Sequence, residues 1–320
     1  MARKLLDNGA EVNAQGGDYG NALQAASAGG HEQVVKMLLD ADAEVNAQGG
    51  HYGNALQAAS YRGHEQIVKM LLDAGADVNA QGGFYGNALQ AASAGGHEQI
   101  VKTLLNAGAE VNAQGGYFGN ALQAASAGGH EQVVKMLLDA GADVNAQGGF
   151  YGNALQAASY RGHEQIVKTL LNAGADINAQ GGDYSNALQA ASEGGHEQIV
   201  KTLLNAGAEV NAQGGYFGNA LQAASAGGHE QIVKTLLDAG AEVNAQGGYF
   251  GNALQAASAG GHEQIVKMLL DAGADVNAQG GFYGNALQAA SEGGHEQIVK
   301  TLLDAGAHQH LEDNLALRPE

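Results

Sequence analysis

Nine histidines recur at a single spacing, from His31, His64 and His97 onward to His295, one every 33 residues, and each opens the stretch H-E-Q. An imidazole beside a carboxylate is raw material for metal binding or acid–base catalysis. Metal binding fails on distance. Packed helices lie about 8–10 Å apart, so histidines on successive copies cannot close on one ion. Within a copy, H-E-Q-I-V lacks the second histidine that a zinc-binding helix supplies four residues after the first. His308-x-His310 is too weak a pattern to weigh. The serines, Ser60 among them, have no base beside them in their own copy. The glycines come as Q-G-G and G-G-H, never as a phosphate loop followed by Lys-Ser/Thr or as G-x-G-x-x-G after a strand. Carboxylates are spread along the chain instead of gathered at one place. The expectation is no catalytic site, no cofactor and no metal, with each histidine closing a turn between helices.

The aromatic residues form the second pattern. All eleven tyrosines and six phenylalanines fall at two kinds of place. One is a paired tip, as in Asp18-Tyr19, His51-Tyr52, Phe84-Tyr85 and Asp183-Tyr184. The other holds Tyr61-Arg62 and Tyr160-Arg161, where most copies have Ala-Gly, as at Ala28-Gly29. The second tip member, Tyr52 and its equivalents, never leaves the aromatic class, which fits a packed staple. The first accepts Asp and His, which fits exposure. Aromatic residues and arginine are favoured at binding hot spots. The candidate partner-binding residues are therefore His51, Phe84, Tyr117, Phe150, Tyr216, Tyr249 and Phe282 at the tips, with Tyr61, Arg62, Tyr160 and Arg161 beside them. At a repeat spacing of about 8–10 Å they are expected to form a discontinuous stripe, interrupted by Asp183, over an aliphatic core.

These residues must be positioned by the unit that repeats. Its leading Asn stands at 21, 54, 87, 120, 153, 186, 219, 252 and 285, without insertion or deletion. A fixed period of this length is the mark of a solenoid. In the copy from Asn54 to Gly86, N-A-L-Q predicts a capping box. Asn54 accepts from the N–H of Gln57, and Gln57 reaches back to the N–H of the cap. Ala55 to Tyr61 is a short first helix of small residues that permits close approach. Gly63 breaks the chain, and Glu65 to Ala74 forms a second helix with Ile67, Val68, Leu71 and Leu72 as its apolar stripe. Gly75 suits a left-handed stop, and Asp77 to Gly86 an extended turn. Met37 and Thr103, which exchange after the helix lysine, are expected to be exposed. Asp42 and Ser185 stand where other copies have glycine.

Read together, L-x-A-A-x-x-G-H-x-x-x-V-x-x-L-L-x-x-G-A-D-V-N-A resembles the ankyrin repeat, in register through all nine copies. That resemblance implies an all-α ankyrin-repeat solenoid of helix–turn–helix units joined by hairpin-like loops. It also implies that the two aromatic sites line a concave face that grips protein partners. The opening N-A-L-Q replaces the family's T-P-L-H, so Gln57 stands in for a histidine. The turn Q-G-G-aromatic-aromatic-G likewise departs from the usual pattern, and both variants resemble the near-identical arrays of fungal receptor-like proteins.

The formal charge of −19 and pI near 4.8 oppose phosphate backbones, so nucleic acid is not the expected partner. Cysteine is absent, and no segment suggests a signal peptide or membrane span. A cytoplasmic protein is expected. Residues 1–20 read as a partial repeat, 21–307 as nine repeats, and 308–320 as a cap or tail, with Leu311 and Leu315 on a helical turn stopped at Pro319. An array opening inside a repeat suggests a piece of a longer protein, with an under-covered end that could associate end to end. The expected function is a non-enzymatic scaffold for a protein or peptide partner, basic or mixed in charge, with apolar anchors. The alternatives are an engineered or consensus-derived scaffold with no natural partner, and a passive spacer.

Overall fold

A cap, a glycine stop, a second helix and another glycine stop are built in turn by each copy. The computed structural model describes residues 2–308, so the expected cap around Leu311, Leu315 and Pro319 lies outside the described residues. Nineteen helices are present among them, in the all-α helix–turn–helix array that the resemblance implies, and the only pairing between extended segments is a short bridge in each of the eight hairpins from Gly49–Gly53 to Gly280–Gly284. The chain divides into two compact units, Met1–Ala187 and Leu188–Glu320.

Local rules account for the helices. Asn54 is extended, and its Oδ1 accepts the Gln57 backbone N–H at 2.9 Å, which satisfies one orphan donor of the helix Ala55–Arg62. Gly63 then turns left-handed at φ 82°. The second helix, Glu65–Asp73, carries a Glu65–Lys69 ion pair of 2.7 Å on its exposed side, which contributes little to stability in water. Ile67, Val68 and Leu71 are fully buried, whereas Leu72 sits half-buried at the edge. Ala58 and Ala59 are also buried, and their small side chains let first helices pack closely.

Successive repeats are locked by side chains that reach across. Asn112 donates through Nδ2 to the Gly141 carbonyl (3.1 Å) and accepts the Asp143 N–H at Oδ1 (2.8 Å). An amide offers a donor and an acceptor on two separate atoms, whereas an ionised aspartate only accepts and could not replace it. His130 places Nε2 2.9 Å from the Ala94 carbonyl, at the end of the preceding repeat's first helix. The expected turn-closing histidine is thus also a strut between repeats. Glycine must face it: a Cβ on Gly96, already at φ 74°, would lie 2.3 Å from the His130 ring.

Three expectations need correction. Gln57 does not complete a capping box; its Nε2 turns instead toward the Ala80 carbonyl (3.4 Å), in the loop leading to the next hairpin. The bent approach of that loop offers carbonyls that no helical bond uses. Met37 and Thr103 are half-buried, not exposed, and Thr103 bonds its hydroxyl to the Gln99 carbonyl (2.9 Å). The core is not wholly aliphatic either, since Tyr52, Tyr85, Tyr151 and Tyr184 are buried. Tyr52 and Tyr85 pack with Ala28, Ala58 and Ala91.

Asp42 (φ 62°) and Ser185 (φ 69°) are the only non-glycine residues with positive φ among those described. A side chain in that region costs about 1–2 kcal/mol. Asp42→Gly and Ser185→Gly are each expected to stabilise the chain by about 1 kcal/mol, read as an upward shift of the thermal midpoint. An unchanged or lower midpoint would show that neither position is strained.

Candidate partner-binding face

The hairpins create the site. In each, a Gly–Gly pair admits the neighbouring backbone: a Cβ on Gly116, at φ 64°, would sit 2.4 Å from the Tyr85 carbonyl carbon. With nothing in the way, tips bond directly to one another. The Phe84 N–H meets the His51 carbonyl at 2.9 Å, Tyr117 meets Phe84 at 2.8 Å, and Phe150 meets Tyr117 at 2.9 Å. In the second unit Tyr249 reaches Tyr216 and Phe282 reaches Tyr249, both at 2.8 Å.

This ladder draws the rings much closer than the helix spacing suggested. The outer rings His51, Phe84, Tyr117 and Phe150 stack at 5.2, 4.9 and 5.1 Å. Tyr216, Tyr249 and Phe282 do so at 5.0 Å per step. The expected discontinuous stripe is therefore corrected to a continuous stack within each unit, near the 4.7–4.9 Å spacing of hydrogen-bonded strands. Asp183 ends the first stack; its N–H lies 3.4 Å from the Phe150 carbonyl, a longer bond than the others. Behind it runs a second column, Tyr19, Tyr52, Tyr85, Phe118 and Tyr151, at 6.2–6.4 Å per step.

The two columns differ in exposure. Phe84 is 38% exposed, Tyr216 51% and Phe282 63%, and Tyr117 and His51 are likewise exposed, whereas Tyr151 is 4% exposed. Phe150 and Tyr249 are half-buried. Inner rings staple the repeats and outer rings face outward. Tyr61 and Tyr160 do not stand free: each is half-buried and stacks on an inner ring at 4.4 Å, Tyr61 on Tyr85 and Tyr160 on Tyr184. Arg62 and Arg161 are exposed beside them.

In the first unit these parts enclose a hollow of about 390 Å³, walled by Tyr61 and Arg161, edged by Phe84 and Tyr117, and floored by Ala94, Ala127 and Gly128. The floor was missed in the sequence because it consists of side chains that are small. Its signal was there, in the Ala-Gly copies lying between two Tyr-Arg copies. At the equivalent helix end in the second unit lies Glu193, half-buried, with its carboxyl pushed up by burial and drawn partly back by His229 and His196.

Burial also pushes up the Tyr85 hydroxyl, as does the neighbouring Tyr61, with Arg62 working weakly the other way. Tyr151 is raised by burial and by the neighbouring Tyr117. A raised phenol keeps its proton in the folded chain after the unfolded chain has lost its own. The stability it contributes is whole below about pH 10 and is lost as pH rises from there toward the folded value. Alkaline titration is thus expected to lower the thermal midpoint above about pH 10, and less so in Tyr85→Phe. An identical alkaline slope in wild type and variant would contradict the assignment.

Among the described residues no group of three or more His, Asp or Glu side chains converges to hold a metal ion, and no helix is long and apolar enough to cross a membrane. No curated protein matches the chain. A family model described as ankyrin repeats (3 copies) matches residues 1–82, 81–148, 122–214, 154–247 and 221–313. Covered from end to end of its repeating portion, the chain belongs to the ankyrin-repeat family.

Proposed function

We propose that the chain is a recognition array that grips a protein or peptide partner on its hairpin side, the concave face of the family. One observation carries this reading: two parallel aromatic columns, the inner one buried or half-buried apart from Tyr19, the outer one exposed apart from half-buried Phe150 and Tyr249. A structural staple needs only the inner column. The outer rings His51, Phe84, Tyr117, Phe150, Tyr216, Tyr249 and Phe282 add apolar area along the hairpin tips, as aromatic residues do at binding surfaces. Tyr61, Arg62, Tyr160 and Arg161 supply the second contact zone. A partner of mixed charge with apolar anchors suits it, its acidic groups set against the arginines. The Q-G-G-aromatic-aromatic-G tips resemble those of fungal receptor-like arrays, which supports a role as the sensing part of a cytoplasmic receptor. Self-association is a second reading, favoured by an apolar hollow of about 460 Å³ among Leu5, Leu6, Val12, Val34 and Leu38. Concentration-independent sedimentation would exclude that one.

Phe84→Ser with Tyr216→Ser tests the main reading. Each ring stacks on neighbours, so the pair is expected to cost about 1–3 kcal/mol of stability, not the larger loss of a buried aromatic. Affinity capture followed by mass spectrometry is expected to lose the wild-type partner. Loss of several kcal/mol with capture intact would make the outer rings staples. Wild-type chain that captures nothing specific would favour a scaffold or spacer without a natural partner.

A further inference from the structure

Of the cations in this acidic chain, nine are lysines on second helices, each preceded four residues earlier by a glutamate. Arg62 and Arg161 are different. Four residues before them stand Ala58 and Ala157, and neither arginine forms an ion pair among the described residues. Both are exposed; Arg161 lines the hollow floored by Ala94 and Ala127, and Arg62 follows Tyr61, which walls it.

We propose that this trough docks an extended acidic segment of a partner protein that inserts one aromatic or aliphatic side chain. The inference rests on the recognition reading above and adds the sign, length and limits of what is recognised. The hollow, about 390 Å³, is lined mainly by aromatic rings, four of them tyrosines, and small residues, and lies within the range that accepts a bulky side chain. Three ring-to-ring steps of about 5 Å separate His51 from Phe150, room for about four or five extended residues. The Arg161 guanidinium in its lining and that of Arg62 beside Tyr61 match carboxylates flanking the anchor, and arginine binds carboxylate in a two-pronged geometry that lysine cannot reproduce. The corresponding positions of the second unit read Glu193, Ala226, Ala259 and Glu292, the same pattern with acidic ends. A segment drawn to the first trough is repelled by the second, so charge selects the unit.

Selection of a phage-displayed library of random twelve-residue peptides on the full chain tests this. Ala127→Tyr fills the floor with the residue the fold already carries at Tyr61 and Tyr160. Arg62→Gly with Arg161→Gly removes the charge by substituting the residue of most other copies. Melting curves of both variants confirm folding. Recovered peptides are expected to carry Asp or Glu around one aromatic or aliphatic residue. Their affinity is expected to fall at least about tenfold in each variant, as for loss of a charge-assisted contact. Peptides blocked by Ala127→Tyr but basic or neutral would overturn the acidic assignment while leaving recognition on this face standing. Peptides insensitive to Ala127→Tyr, or none recovered, would overturn the trough. If Phe84→Ser with Tyr216→Ser also left binding of any recovered peptides unchanged, the broader reading would fall with it.

Discussion

A single N–H···O=C bond between neighbouring hairpin tips governs the face of this molecule. Between His51 and Phe150 it holds at 2.8–2.9 Å, and the same bonds tie Tyr216, Tyr249 and Phe282. Helices packed through side chains keep about 8–10 Å between axes, whereas backbones joined by hydrogen bonds approach to about 5 Å. Each repeat is therefore a wedge, narrow at the tip. Stacked rings, an inner second column and a trough between Tyr61 and Arg161 all depend on that closeness. It depends in turn on glycines such as Gly116, where any Cβ would strike the preceding hairpin.

Behind the tips, polar side chains fix the register of otherwise near-identical repeats. Such an array could slip or bend at many places if held by apolar contact alone. The asparagine clamp, as at Asn112, and the histidine strut, as at His130, each bind backbone groups of an adjacent repeat at fixed geometry. They also give the recurring histidines a structural role. Rigidity from these locks lets half-exposed rings hold a defined surface, which lowers the ordering cost when a partner binds.

Much of this was legible in the residues. The period, both helices, the Asn54 cap, the glycine stops and the division between inner and outer aromatics follow from residue type and spacing. Other features were not. Gln57 has one amide and two plausible uses, and only the path of the following loop decides for the Ala80 carbonyl. Ring spacing was misjudged because a sequence period counts repeats but says nothing of their taper. Tyr61 was read as a partner contact, and its stacking on Tyr85 was not foreseen. The trough floor escaped notice because Ala94 and Ala127 matter through their smallness, which becomes visible only beside their taller neighbours.

Residue-resolved amide hydrogen exchange at the hairpin tips tests the central claim most directly. If the ladder holds the outer face in place, the N–H groups of Phe84, Tyr117, Phe150, Tyr249 and Phe282 exchange slowly although the rings they carry are exposed or half-exposed. Exchange at the rate of an open surface loop would mean that the tips are not bonded to one another. The stacked columns, and the face built on them, would then have no support.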